Sequence, residues 1–132
     1  MPAAPTVGIT PDPADTDDDL TAAVTVDSID PEGDAITYAW SWTRGGVATS
    51  HTGATVPAGD TARGEVWVAT ATPSDAGGAG TAGSASITIG NAAPAITSAG
   101  LSPTSPQTND TITAAVGTSD ADGDSVSLSY AW

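Results

Sequence analysis

The chain has 132 residues, 39% of them hydrophobic, and its 16 acidic residues stand against only Arg44 and Arg63, for a net charge of −14. Nucleic acid and anionic membranes are bound through clustered Lys and Arg, so this balance excludes both as partners and favours cations; it equally suits solubility or adaptation to high salt. With no Cys there is neither a disulfide nor a thiolate metal site, and no apolar run approaches the ~20 residues of a membrane span.

Thr, Val, Gly, Asp and Pro disfavour helix and suit short strands joined by tight turns. Phe is absent, so four Trp and two Tyr supply the bulk of any core. Met1-Pro-Ala-Ala-Pro5 lacks the basic and apolar regions of a signal peptide, and Met1 reads as a start residue added to an excised fragment.

Residues 4–10 alternate at Val7 and Ile9 and predict a first strand. Pro11 to Asp19 reads as a loop, because its prolines and acids do not suit a sheet centre. Leu20, Ala22, Val24 and Val26 alternate in a second strand, and Ile36, Tyr38, Trp40 and Trp42 in a third. Arg44-Gly45-Gly46 marks a hairpin, since paired glycines supply the positive φ that a two-residue turn needs. Val47–Ser50 returns beside the third strand, and Thr52–Pro57 is a short strand anchored by Val56. Glu65–Ala71 is a clear strand of ambiguous phase, with Trp67, Ala69 and Ala71 competing against Val66 and Val68. Pro73–Gly80 reads as a flexible loop, Ala85, Ile87 and Ile89 alternate in a last strand, and Asn91–Pro94 is a junction.

The pattern then restarts. Leu101-Ser-Pro103 matches Ile9-Thr-Pro11 at an offset of 92 residues, and Asp120–Trp132 matches Asp30–Trp42 at an offset of 90. A period of about 90 residues with about seven short strands is the size of an immunoglobulin-like sandwich. One complete domain is expected over 1–91, and the first half of a second, about three strands ending with Val126, Leu128, Tyr130 and Trp132, over 92–132. The half-domain is either cut from a longer tandem array or completed by strand addition from another chain.

The ordered motifs (Ala-Pro junction, Asp-x-(Asp/Glu)-Gly-Asp turn, Tyr-x-Trp strand, Arg-Gly-Gly-Val hairpin, Gly-Glu-Val-Trp strand, Thr-Pro-Ser-Asp loop) resemble the tandem immunoglobulin-like repeats, related to PKD and cadherin-like modules, of large secreted and surface proteins of bacteria and archaea. The resemblance implies an all-β, immunoglobulin-like antiparallel β-sandwich, an extracellular or cell-surface setting and Ca²⁺ binding. Pro31 and Glu32 in the first turn, and Arg44-Gly45 in the hairpin, depart from the usual pattern.

Ca²⁺ takes six to eight oxygen ligands on a chain able to turn sharply. Asp30, Glu32 and Asp34 surround Gly33, and Asp120, Asp122 and Asp124 surround Gly123, without the spacing of an EF-hand. In a sandwich of this kind the second copy is expected to face the domain junction, with Asp15, Asp17 and Asp18 close by, so that a bridging Ca²⁺ would stiffen the joint. The competing reading makes these acids turn formers that cap local N–H groups. Tyr38, Trp40 and Trp67 are expected in the core, whereas Trp42, near a strand end, is the candidate for stacking on a surface glycan. His51 is the only His and reads as a solvated loop residue, so nucleophile–base catalysis has almost no material. Asn109-Asp-Thr111 forms a glycosylation sequon.

The expected role is a non-enzymatic structural or adhesive spacer or stalk, its partners being neighbouring repeats of the same chain. Two alternatives stand beside it: a carbohydrate-binding accessory of a secreted enzyme, and a fibre subunit that self-associates through the open second domain.

Overall fold

A computed structural model describes residues 1–132 as a β protein whose one helical segment is a 3₁₀ turn at Ala58–Asp60. The chain divides into two compact units, Met1–Asn91 and Ala92–Trp132.

The first unit contains β1 (Thr6–Thr10), β2 (Ala14–Asp15), β3 (Leu20–Val26), β4 (Thr37–Arg44), β5 (Val47–Ala48), β6 (Thr55–Val56), β7 (Val66–Asp75), β8 (Gly78–Ala79) and β9 (Gly83–Gly90). One sheet runs in the order β1-β3-β6 and the other β2-β9-β7-β4-β5, with β8 paired to the end of β7. All ladders are antiparallel except that of β2 with β9. Alternation explains the core between the sheets. Val7, Ile9, Leu20, Ala22 and Val56 come from one sheet, and Trp42, Trp67, Ala69, Ala71, Ile87 and Ile89 from the other.

The phase of β7 is settled by this packing: Trp67, Ala69 and Ala71 point inward and Val66 is exposed. Small Ala residues along β7 leave room for the two indoles, which meet edge to face at 6.4 Å between centroids. The β4–β5 hairpin closes as its glycines predict, with φ of 56° at Gly45 and 81° at Gly46.

Several expectations are corrected. The fully buried tryptophan of β4 is Trp42, while Trp40 and Tyr38 are half-buried against the core. The cover over Trp42 comes from the loop before β6, where the Gly53 carbonyl accepts its indole N–H at 2.9 Å. Trp42 is therefore not the outward ring that stacking on a glycan requires. The segment read as a flexible loop at 73–80 is ordered instead: β7 runs on to Asp75 and turns into β8, because Thr72, Pro73 and Ser74 stay in register with Ala39, Tyr38 and Thr37. β2 lies inside the stretch assigned to a loop, held at the sheet edge by Ile89 and Gly90.

The second unit holds β10 (Ala95–Ser102) and β11 (Thr113–Ser119), paired antiparallel. The third strand expected over Val126–Trp132 does not form. Its counterpart β4 is held by an eight-residue ladder to β7, and the second unit has no strand to take that place.

Truncating Trp42 to Ala is expected to cost about 3–5 kcal/mol in denaturant unfolding, from lost burial and the cavity left behind. Val47→Ala, at an exposed site on β5, should stay within about 0.5 kcal/mol.

Candidate metal centre

The two acidic turns are built alike. In the first, Gly33 adopts φ 79°, its N–H donates to the Asp30 carbonyl at 3.2 Å, and the Asp34 N–H donates to Asp30 Oδ2 at 2.9 Å. In the second, Gly123 adopts φ 75°, its N–H donates to the Asp120 carbonyl at 3.3 Å, and the Asp124 N–H donates to Asp120 Oδ1 at 2.9 Å. The positive φ is what glycine at the centre of each turn provides.

Only around the first turn does the fold gather a third acid. Carboxylate oxygens of Asp30, Asp34 and Asp75 lie within 4.8 Å of one another. Asp75 arrives because β7 pairs with β4 so that Ser74 faces Thr37, which puts the end of β7 beside the residues leading out of the turn. The side chains of Asp30 and Asp75 are each only 2% exposed. Each spends one oxygen locally: Asp30 Oδ2 on the Asp34 N–H, and Asp75 Oδ1 on the Gly77 N–H at 2.7 Å. Asp30 Oδ1 is left buried without a hydrogen bond, a costly state for a carboxylate oxygen unless a cation faces it.

The α-ammonium group of Met1 does face it. Its nitrogen lies 3.3 Å from Asp30 Oδ1, 3.2 Å from Glu32 Oε2 and 3.6 Å from Asp75 Oδ2. Backbone bonds from Ala3 to Ile29 and from Thr81 to Pro2 hold the terminal segment there. The ammonium stands where a small cation would stand. Its pKa is raised, first by its hydrogen bond to Glu32, against partial desolvation, with Asp30 adding to the rise. The Asp30 carboxyl is held below the ordinary carboxylate range, first by the Asp34 N–H, against desolvation, with the ammonium assisting.

The other candidate acids are engaged outside this cluster. Glu32 is exposed and meets Met1 rather than joining the three-carboxylate cluster. Asp15 Oδ1 accepts from the Asp17 N–H and Asp18 Oδ2 from the Asp15 N–H, which closes the turn after β2. Asp120 caps its own turn, and Asp122 Oδ2 accepts from the Ala92 N–H at 2.8 Å. Asp75 was missed because it lies 41 residues beyond Asp34 in the Thr-Pro-Ser-Asp motif, and only strand register unites them.

His51 is less solvated than expected. Its ring packs 5.9 Å from Trp67 and its Nε2 lies 3.4 Å from Asp60. Together with Arg44, which pairs with Glu65 at 3.6 Å and lies over the Trp67 ring, they line a cavity of about 330 Å³. Arg63 donates to the Asn91 side chain.

A raised ammonium pKa stabilises the fold below about pH 8 and loses that contribution as pH climbs through the folded value; a depressed carboxyl stabilises above about pH 3.9 and loses it as pH falls through the folded value. N-terminal acetylation is therefore expected to remove the alkaline fall in melting temperature attributable to Met1 while the acid fall from Asp30 persists, as read by thermal melts in chelator across pH. No protein-family model, curated protein or solved structure matches the chain.

Proposed function

We propose that the chain is a non-enzymatic repeat module, a spacer or stalk within a large secreted or cell-surface protein, and that a Ca²⁺ ion at Asp30, Asp34 and Asp75 stiffens it. The observation that supports the repeat is the recurrence of one strand pairing at a fixed offset. Leu101 faces Ala114 and Ala99 faces Val116, as Ile9 faces Ala22 and Val7 faces Val24, each 92 residues earlier. Modules that recur in register serve readily as mechanical units, because each copy adds a fixed length. This reading takes the modules to be immunoglobulin-like and keeps neighbouring repeats as their partners.

The donor set favours a hard cation. Carboxylate oxygens spaced within 4.8 Å suit an ion that binds each at about 2.3–2.6 Å. Asp30 Oδ1 and Asp75 Oδ2 would hold it with Asp34, and exposed Glu32, backbone carbonyls and water would complete the shell. Bound there, the ion ties the turn before β4 to the end of β7. It neutralises three carboxylates whose mutual repulsion otherwise opposes that approach.

Thermal melts of the N-terminally acetylated chain in Ca²⁺ and in chelator test the cation. Binding to the folded state alone at 100 times Kd adds about 2.7 kcal/mol, a rise of roughly 10 °C or more for a domain of this size. Asp75→Asn should abolish the rise and Asp120→Asn should leave it; identical melts in calcium and chelator would refute the site. The spacer role is tested separately on the parent protein. The period of about 90 residues should continue there, and protease added to intact cells should cleave the product. A parent that is cytoplasmic throughout would refute it.

A further inference from the structure

The cavity of about 330 Å³ in the first unit lies at the end of the β4–β7 ladder remote from the acidic cluster. Strand register assembles it: Arg44 faces Trp67 on one neighbour and Val47 on the other, so the three share one face of the sheet. The Trp67 indole is a fixed floor, 1% exposed, and its N–H donates to Glu65 Oε2 at 3.0 Å. Arg44 lies 5.7 Å from the centroid of that ring and 3.6 Å from Glu65 Oε1, a stack and an ion pair that leave its N–H donors without a hydrogen bond. Asp60 comes from the 3₁₀ turn, which is anchored by the Asp60 N–H on the Pro57 carbonyl at 3.0 Å and the Ala58 N–H on Asp19 Oδ1 at 2.8 Å. His51 joins the two sides. Its backbone N–H donates to Thr49 Oγ1 at 3.3 Å, its ring rests against Trp67, and its Nε2 lies 3.4 Å from Asp60 Oδ2. Val47 and Ala48, both exposed, add an apolar surface beside these polar groups.

We infer that this cavity binds one neutral hexose residue of a glycan. Its volume stands at the small end of the range for ligand sites, which suits a single sugar ring. Two of the three side chains able to carry positive charge, Arg44 and His51, line it. Asp60 and Glu65 stand beside them, so the site has no excess of positive charge to hold an anion. The chain's net charge of −14 also repels an anionic polymer at long range. A cationic ligand, in turn, would meet the guanidinium of Arg44. A neutral vicinal diol escapes both objections. One hydroxyl accepts from Arg44, which can only donate; the next donates to Asp60, which can only accept; and the His51 ring can serve in either sense. The C–H face of the sugar rests on Val47 and Ala48, which gives a use to an apolar side chain that is 69% exposed. No outward aromatic ring is needed, in contrast to the stacking role expected of Trp42. The inference goes beyond the spacer role and rests on neither that role nor the cation site.

NMR titration of the isotope-labelled full 132-residue chain in chelator tests it, with D-glucose, D-galactose and D-mannose each raised to about 100 mM and D-galacturonate as the anionic comparison. The expected result is that at least one neutral hexose shifts the amide resonances of Val47, Ala48, His51 and Asp60 and the indole N–H of Trp67. The Kd should be about millimolar, the scale for a ligand of about a dozen heavy atoms, and galacturonate should bind more weakly. Asp60→Ala should weaken binding at least ~10-fold, the scale of a lost hydrogen bond to a charged group, with the melting temperature little changed. Val47→Ala, which removes only apolar contact, should weaken it about threefold. Asp75→Asn, in the acidic cluster, should leave it as it is. Three outcomes overturn the inference: no shift at these residues with any of the three hexoses, shifts undiminished by Asp60→Ala, or galacturonate bound more tightly than every neutral sugar.

Discussion

The ladder between β4 and β7 is the constraint on which the rest of the structure depends. Its register runs from Thr37 opposite Ser74 to Arg44 opposite Trp67. At one end it brings Trp42 and Trp67 into edge-to-face contact at the centre of the core. At the other it delivers Asp75 to the turn that carries Asp30 and Asp34. Core and carboxylate cluster are thus two ends of one pairing. A one-residue slip would turn the tryptophans to solvent and carry Asp75 away from its partners.

The second unit shows what happens when this ladder is missing. Its two strands pair with most of the register of β1 and β3, because local alternation and a connection over 103–112 that turns at Asn109 suffice for that. The apolar phase of Val126–Trp132 is just as regular as that of β4, yet no strand forms there. A strand must satisfy its backbone N–H and C=O groups through a neighbour, and side-chain alternation cannot replace that neighbour. In the Asp120–Asp124 turn, Asp120 accepts the N–H groups of Asp122 and Asp124, while Asp122 reaches out of the turn to the Ala92 N–H.

The chain's large negative charge is arranged to limit its own repulsion. Several acids lie in turns and accept backbone N–H bonds from residues two to four positions away, as at Asp15, Asp30, Asp75 and Asp120. Such bonds stabilise the ionised carboxylate in place. Asp30 differs because its second oxygen is buried and faces the ammonium group of Met1. That one atom separates a candidate cation site from an ordinary acidic turn.

Much of the architecture was legible in the residues themselves. Alternation identified β1, β3, β9 and most of β4 and β7, Val56 marked β6, and the paired glycines after Arg44 marked a hairpin. The all-β class follows from the same local rules, since a period of two and turn chemistry are properties of neighbours in the chain. What local rules could not decide was which side of a strand is inside, how far a strand runs, and which distant acids meet. The half-burial of Trp40 against the full burial of Trp42, the continuation of β7 through Pro73 to Asp75, and the union of Asp75 with Asp30 all depend on cross-strand register and on cover from another sheet. By itself the sequence determined the longer strands of the first unit, the glycine turns and the repetition of the pattern, because those signals are local. Only the tertiary structure decided the core tryptophan and the carboxylate cluster, because each requires a partner many residues away.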